Sequence, residues 1–279
     1  MNRIAALLLP VLLFPALAAA SGPFAKDGFV TVVEGDRLWV FRAGSEELAS
    51  FESSGELAKH TTQIGVGPAG LTVKAPDKQT ILEYLAAKPG FVAKVEEGRI
   101  WVFREGGPEL RTVLEGGELA KHVTRVNAGP LDTTLKAPDE STLDEYLAWK
   151  PGFVTHVVDG RLWVFHQGSE DLRVFESGGE LAKHVTRVGA GPGGMTLKGS
   201  DDETIVDYVT ALDGFETFVN SEGRLWVFRI GSRALENFYE TGKPEKHITL
   251  VGAGPLGLTI KSPDRETADA YLRTYAMWY

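Results

Sequence analysis

The chain has 279 residues, of which 43% are hydrophobic and 24% charged, a composition typical of globular proteins with enough length to build a core. Its 29 basic and 38 acidic side chains give a formal net charge of −9. Proteins that bind nucleic acid usually carry a basic surface, so nucleic acid and anionic membranes are not predicted partners. The chain contains no cysteine, which excludes disulfides, thiol catalysis and Cys-ligated metal centres.

The first twenty residues have the features of a secretory signal peptide. Arg3 supplies a positive charge, an apolar stretch broken by Pro10 and Pro15 follows, and three alanines precede Ser21. Such a segment is too short and too interrupted to span a membrane. We therefore predict a signal peptide at residues 1–20 and an extracytoplasmic location, periplasmic or secreted. No membrane span is predicted in the remainder.

The rest of the chain is a fourfold tandem repeat. The phrase Arg-Leu/Ile-Trp-Val-Phe surrounds four equivalent tryptophans, Trp39, Trp101, Trp163 and Trp226. Four Lys-His pairs follow them, and their histidines are spaced by 62, 62 and 63 residues. A fixed period of this kind predicts one supersecondary unit per repeat. The predicted units are residues 21–88, 89–150, 151–212 and 213–279, the last of which includes an aromatic C-terminal tail.

Each repeat begins with two β-prone runs, which in the third repeat are residues 153–158 and 161–166. They are joined by Asp159-Gly160, and Asp-Gly between two such runs is typical of a β-hairpin. A short helix follows, for which Ser169 is the predicted N-cap and Gly179 the predicted end. The glycines predicted to end this helix in the other repeats are Gly55, Gly117 and Gly242.

The second half of each repeat begins at the Lys-His pair. In the third repeat the β-prone runs are residues 184–188 and 195–198, with a glycine-rich loop between them. A second helix follows, for which the second repeat offers Asp139 as N-cap and places Leu143 and Tyr146 on one face. The predicted order of elements in each unit is therefore ββαββα, and the predicted fold class is α+β.

The four units are predicted to close into a pseudo-fourfold ring. An open array needs end repeats with a polar outer face, whereas the first repeat follows directly on the predicted signal peptide and the fourth ends in aromatic residues. The alternatives are a four-bladed propeller-like arrangement and independent modules that dock.

The glycine loop satisfies G-x-G-x-x-G in three repeats, as in Gly189, Gly191 and Gly194. A dinucleotide site needs a strand before this motif and a helix after it. Here a β-prone run follows and a proline lies inside the motif. Nucleotide binding is therefore not predicted, and the glycines are expected to supply positive φ angles in a loop.

One histidine per repeat is the main candidate for function. A ring would bring four imidazoles to equivalent places around its axis, where they could ligate Zn²⁺, Cu²⁺ or Ni²⁺. No cofactor is predicted, and a divalent transition metal is the alternative. Against it, a lysine stands beside each histidine, and the histidine could instead bond a backbone group at the start of a strand. The candidate metal ligands are His60, His122, His184 and His247.

Repeat-invariant lysines and a threonine accompany each histidine. The threonine (Thr186 in the third repeat) and the second lysine complete a polar trio with the histidine, which could receive a carboxylate or a sugar hydroxyl, or tie the sheet to a helix. The predicted ligand-binding residues are the four histidines together with Lys59, Lys74, Lys121, Lys136, Lys183, Lys198, Lys246 and Lys261.

The tryptophan strand is predicted to be buried on both sides. Strand alternation sends Trp163 and Phe165 to one face and Leu162 and Val164 to the other. A repeat-kept lysine or Arg161 could form a cation–π contact with the tryptophan. An aromatic platform for a sugar ring is the alternative interpretation.

Catalytic signatures such as G-x-S-x-G and H-E-x-x-H are missing. His156 and His166, the histidines confined to one repeat, fall in predicted strands. The sequence therefore favours a non-enzymatic binding or scaffolding protein with repeated equivalent sites. A polysaccharide of the cell envelope or an envelope protein is the expected partner, since four weak sites act through avidity. A metal-binding protein and an extracytoplasmic enzyme are the alternatives, and the sequence predicts no oligomeric state.

Overall fold

A computed structural model describes residues 22–244 and 246–276. The predicted signal peptide at residues 1–20 lies outside these ranges, as do residues 277–279 of the predicted aromatic tail. Within the described residues each repeat has the order ββαββα, with a 3₁₀ turn before the fourth strand. The predicted α+β unit is confirmed.

The bounds of the helices and strands are as follows, repeat by repeat. Repeat 1 contains β1 (Phe29–Glu34), β2 (Arg37–Arg42), α1 (Glu46–Ser54), β3 (Thr61–Gln63), β4 (Thr72–Ala75) and α2 (Lys78–Ala86). Repeat 2 contains β5 (Phe91–Glu96), β6 (Arg99–Arg104), α3 (Pro108–Leu114), β7 (Val123–Arg125), β8 (Thr134–Ala137) and α4 (Glu140–Ala148). Repeat 3 contains β9 (Phe153–Val158), β10 (Arg161–His166), α5 (Glu170–Gly178), β11 (Val185–Arg187), β12 (Thr196–Gly199) and α6 (Asp202–Thr210). Repeat 4 contains β13 (Phe215–Val219), β14 (Arg224–Arg229), α7 (Arg233–Thr241), β15 (Ile248–Leu250), β16 (Thr259–Ser262) and α8 (Arg265–Ala276).

Each repeat forms one four-stranded mixed sheet with the same topology. In repeat 1 the strand order is β1-β2-β4-β3, with β2 and β4 parallel and the two outer pairs antiparallel. The register places Trp39 beside Lys74, and Lys74 beside Thr62. Residues that pair across neighbouring strands point to the same face, so these three side chains lie in one row.

The central strand β2 is buried on both sides, as predicted. Leu38 and Val40 are fully buried in a cluster with α2, whereas Trp39 and Phe41 pack against α1 on the opposite face. Burying a large apolar side chain contributes about 1.5–3 kcal/mol. Helices of two to three turns are marginal alone, so this packing is what stabilises them.

The predicted helix caps are present in repeats 1, 3 and 4, where the serine accepts a backbone N–H and a left-handed glycine ends the helix. In repeat 3 Ser169 accepts the Leu172 N–H at 3.2 Å. The prediction for Gly117 is wrong, because α3 ends at Leu114 with Glu115 as C-cap. The cause is Gly116, which adopts a φ of 84° one position earlier.

The third strand is shorter than predicted, since β11 begins one residue after His184. The glycine loop contains a 3₁₀ turn, Pro192–Gly194, and then strand β12. No α-helix follows the glycine motif there, as the sequence indicated.

Consecutive repeats share a buried junction built on a lysine and a tyrosine. The Lys88 Nζ donates to the Tyr146 carbonyl at 2.8 Å, and the Tyr146 hydroxyl donates to the Ala86 carbonyl at 2.9 Å. The Tyr208 and Tyr271 hydroxyls make the equivalent bonds at the next two junctions. Each unit is therefore fastened to the last helix of the preceding one.

Repeats 1 and 4 are also in contact. The Ala69 N–H donates to the Asp213 carbonyl at 3.0 Å, and α8 packs against the 3₁₀ turn Pro68–Gly70. A Cβ placed on Gly70 would lie 2.9 Å from the Cβ of Ala270. The first and last repeats therefore meet through backbone as well as side chains.

Candidate functional site

Each repeat brings its invariant histidine, tryptophan and second lysine together, and we call this group the His–Trp–Lys cluster. In repeat 1 the Lys74 Nζ lies 4.6 Å from the centre of the Trp39 ring. The His60 ring meets the same indole edge-on, with ring centres 5.1 Å apart. The sheet register produces this group, because β2 and β4 pair Trp39 with Lys74 directly.

The cluster has nearly the same geometry in all four repeats. The lysine lies 4.5–5.1 Å from the indole centre, and the histidine ring lies 5.1–5.3 Å from it. The predicted cation–π contact with a repeat-kept lysine is confirmed. The four clusters are Trp39, His60, Lys74; Trp101, His122, Lys136; Trp163, His184, Lys198; and Trp226, His247, Lys261.

The clusters are buried at the tryptophan and open at the histidine. Trp39 and Trp163 are each only 3% exposed, whereas all four histidines and the lysines that precede them are exposed. The second lysine is half-buried or buried, since it covers one indole face. Thr62 is exposed beside Lys74, so the predicted trio of histidine, threonine and lysine is assembled at one edge of the sheet.

The described residues contain no group of three or more His, Asp or Glu side chains that could hold a metal ion. Each histidine lies instead against the tryptophan of its own repeat. His60 Nδ1 lies 3.5 Å from the Leu57 carbonyl, and His184 Nδ1 lies 3.4 Å from the Leu181 carbonyl. The metal site stays a prediction, and the geometry of these four side chains does not favour it.

The clusters differ in the residue that faces the tryptophan from the first strand. This cross-strand neighbour is Val32, Lys94, His156 or Phe218 in repeats 1 to 4. Four copies of one framework therefore carry four different side chains at the same place. His156 and His166 lie in strands β9 and β10, as predicted.

Repeat 2 has the least covered tryptophan. Val113 stands where the other repeats have a phenylalanine that packs on the indole, and α3 is only 7 residues long. Trp101 is half-buried as a result. A shallow depression of about 510 Å³ lies beside this cluster, lined by residues 120–123 and 138–140.

Repeat 4 contains a second concave site of about 370 Å³, at its own cluster. Three aromatic rings and three cationic or imidazole side chains line it, namely Phe218, Trp226, Phe238, Lys243, His247 and Lys261. Of these residues, His247 and Lys261 are predicted from the sequence, whereas Phe218 and Lys243 are not. The signal that points to these two residues is their departure from the other three repeats.

Half-buried or buried lysines at the repeat junctions form another group, which the sequence did not point to. Burial lowers the pKa of Lys26 and, further, that of Lys88, while it lowers the pKa of Lys150 to about 7. Lys150 donates to the Val209 carbonyl at 2.9 Å. These side chains hold the end of a helix in place, so we assign them to the scaffold.

No helix among the described residues is both long and apolar enough to cross a membrane. Comparison of the chain with known protein families, curated protein sequences and solved structures finds no match in any of the three.

Proposed function

We propose that this protein is a binding protein that holds a polysaccharide through its four His–Trp–Lys clusters. The observation that carries the proposal is the repetition of one partly exposed cluster at nearly constant distances in every repeat. Imidazole and ammonium groups donate hydrogen bonds to hydroxyl and carboxylate oxygens. A polymer with a repeating hydroxyl pattern can engage several such clusters at once.

Avidity explains why weak sites are sufficient. Once one cluster is occupied, the next sugar unit is presented at a high effective concentration, which raises the overall affinity by about 10²–10⁴ without a new contact. The clusters offer one aromatic edge and two or three polar groups each, so millimolar affinity per site is the expected range. A monosaccharide should therefore bind far more weakly than a polymer of the same sugar.

The test measures polysaccharide binding and thermal stability in the same histidine variant. The variant that carries His60→Ala, His122→Ala, His184→Ala and His247→Ala should lose retention on an envelope polysaccharide column while it keeps most of its thermal stability. His166→Ala is the matched control, since His166 is exposed but lies outside the clusters.

A fall in the melting temperature without any change in retention would assign the histidines to the scaffold and overturn the proposal. The absence of binding on a glycan array, together with no retention on envelope fractions, would overturn the proposal as well. Stoichiometric metal that is lost from the fourfold variant would favour the metal alternative instead.

We further propose that the protein is exported and cleaved before Ser21. The support is the sequence of residues 1–20, with its positive start, apolar run and three alanines. N-terminal sequencing of the protein from its native host should begin at Ser21. A first residue of Met1 in the purified protein would contradict this proposal.

We also propose that the four units close into a ring. The contacts between Ala69 and Asp213 and between Gly70 and Ala270 support closure. Because the chain contains no cysteine, the pair Gly70→Cys and Ala270→Cys can be introduced without competing thiols. Disulfides need Cβ atoms roughly 3.5–4.5 Å apart, which these positions reach with a small outward shift.

Mild oxidation should cross-link this pair within one molecule, as seen by mass spectrometry and faster migration on a non-reducing gel. The control pair is Gly194→Cys with Ala270→Cys, because a Cβ at Gly194 meets no atom within 4 Å. Equal cross-linking rates for the two pairs would overturn closure.

A further inference from the structure

Besides Phe218, three positions distinguish the cavity of repeat 4 from the same surface in the other repeats. In repeats 1 to 3 the glycine equivalent to Gly242 is followed by Glu-Leu, whereas in repeat 4 Gly242 is followed by Lys243-Pro244. The third position is a glutamate at the end of the first strand in repeats 1 and 2. In repeat 4 this position is Asn220. All three repeat 4 residues line the cavity.

The replacement of leucine by Pro244 opens the cavity. In repeat 3 the leucine of the Glu-Leu pair is Leu181, which is 6% exposed and packs in the cluster of Trp163 and Phe165. Pro244 replaces this leucine with a shorter ring, and the site of Trp226 is then a cavity of about 370 Å³. Small-molecule sites span roughly 300–1,000 Å³, so this cavity suits one or two sugar rings.

The other two differences remove carboxylates from the described side chains that line the cavity. In repeat 1 the indole N–H of Trp39 donates to Glu34 at 2.9 Å, and Glu56 follows the helix-ending glycine. Asn220 and Lys243 stand at these two positions in repeat 4. No carboxylate is among the side chains that line the cavity within the described residues. The site thus combines two ammonium groups and an imidazole with three aromatic rings.

We infer that the repeat 4 cavity binds a sugar ring that carries a carboxylate, that is, a uronic acid unit of an acidic polysaccharide. This inference rests on the proposed polysaccharide function and names its preferred ligand. The pyranose ring packs against the half-buried rings of Phe218 and Phe238, which offer apolar surface beside the buried Trp226. Its carboxylate accepts charge-assisted hydrogen bonds from Lys243 and Lys261, which are stronger than neutral ones.

The experiment compares an acidic with a neutral sugar of equal length. Titration calorimetry with a galacturonic acid oligosaccharide and with the corresponding galactose oligosaccharide should give at least tenfold tighter binding of the acid. Lys243→Glu restores the residue type of repeats 1 to 3 and should remove this preference. Pro244→Leu refills the cavity and should weaken both sugars.

Two controls separate the site from net charge. Lys78→Glu changes the net charge by the same amount on an exposed residue of α2 and should leave the preference intact. Conversely, Glu34→Asn with Glu56→Lys and Leu57→Pro in repeat 1 should add a second acid-binding site and raise the stoichiometry. Each variant is first checked for folding, and for Lys243→Glu an unchanged melting temperature is expected because Lys243 is exposed.

The outcomes distinguish this inference from the general proposal. Equal affinity for the acidic and neutral sugars, unchanged in Lys243→Glu, would overturn the inference and leave polysaccharide binding standing. Binding of benzoate with no binding of either sugar would overturn both, since the cavity would then select aromatic acids. Loss of the acid preference in Lys78→Glu as well as in Lys243→Glu would also overturn the inference, because net charge would explain it.

Discussion

Gly214 offers a direct measure of the contact between repeats 1 and 4. It has a φ of +83°, and its equivalents Gly90 and Gly152 have a φ of +80° each. A Cβ at Gly90 or Gly152 meets nothing within 4 Å, whereas a Cβ at Gly214 would lie 2.0 Å from the Ala69 backbone nitrogen. The three glycines therefore share their backbone strain and differ in their neighbours.

The expected magnitudes follow from these distances. Alanine in a left-handed conformation costs about 1–2 kcal/mol, and Gly90→Ala and Gly152→Ala should lose only this amount. Gly214→Ala must also push the Ala69 segment away, which breaks the hydrogen bond to Asp213. Ala69 is 2% exposed, and an unsatisfied buried backbone group costs about 1–3 kcal/mol. We therefore expect Gly214→Ala to lose about 2–5 kcal/mol in total.

The assay is urea unfolding of the three variants and the parent chain, with the free energy of unfolding obtained by linear extrapolation. Far-UV circular dichroism and tryptophan fluorescence should follow the same transition. If the three variants lose equal stability, repeats 1 and 4 are not in contact in solution, and the argument for closure fails.

Two further predictions concern the buried rings. Burial raises the pKa of Tyr84 and Tyr146, so their folded forms keep the proton where the unfolded chain has lost it. The contribution of these two tyrosines to stability should be constant below the unfolded pKa of about 10 and be lost as the pH rises above it. Absorbance at 295 nm should show these tyrosines ionising together with unfolding, and ionisation in a folded protein near pH 10 would contradict this. Phe175→Ala should lose about 3–5 kcal/mol, because Phe175 is 5% exposed and packs on Trp163. Val113→Ala, at the equivalent half-buried position, should lose less than about 2 kcal/mol, and equal losses in urea unfolding would contradict the coverage assigned to repeat 2.

The local chemistry of the sequence predicts most of each unit. Asp159 and Gly160 have φ angles of 50° and 69°, as a two-residue hairpin turn requires. Asp139 accepts the Thr142 N–H at 2.7 Å, as expected for an N-cap. These features depend on neighbours a few residues away in the chain, and a single sequence contains that information.

Features that depend on contacts between units were not predictable in this way. Leu131 has a φ of 54° inside a 3₁₀ turn, although leucine disfavours that conformation. Its side chain packs against the core cluster of repeat 1, which offsets the strain. Lys88 likewise stands next to a proline at a repeat junction in the sequence, and only the packed structure shows that its Nζ donates to the Tyr146 carbonyl of the next repeat.

The candidate site was predictable in its residue types but not in its arrangement. The histidines and lysines stand out through their repetition, and strand alternation places Trp39 with Phe41. The pairing of Trp39 with Lys74 depends on the register of two parallel strands that are distant in the sequence. The cavity of repeat 4 depends on Pro244 and Lys243, which a search for invariant residues discards because they vary.

The substitution Ala270→Glu tests whether repeat 4 is adapted to contact repeat 1, because the two cases predict opposite changes in stability. In repeats 1 and 2 an arginine at the end of the second strand pairs with a glutamate on the last helix, as Arg42 does with Glu83 at 2.7 Å. Repeat 4 keeps the arginine as Arg229, but Ala270 replaces the glutamate. Arg229 Nη2 pairs with Glu266 at 3.1 Å, whereas the buried Arg229 Nε has no hydrogen-bond partner within the described residues.

If repeat 4 did not contact repeat 1, Ala270→Glu would satisfy Arg229 and stabilise the chain by about 1.5–3 kcal/mol, as a hydrogen bond to a charged group does. With the turn at Gly70 packed on Ala270, the longer side chain has no room, and overpacking costs about 1–3 kcal/mol. The broken contacts of the turn add to that cost. We therefore expect Ala270→Glu to lower the urea midpoint. A rise in the midpoint would show that the space at Ala270 is not occupied by repeat 1, and that the glutamate was lost from repeat 4 for another reason.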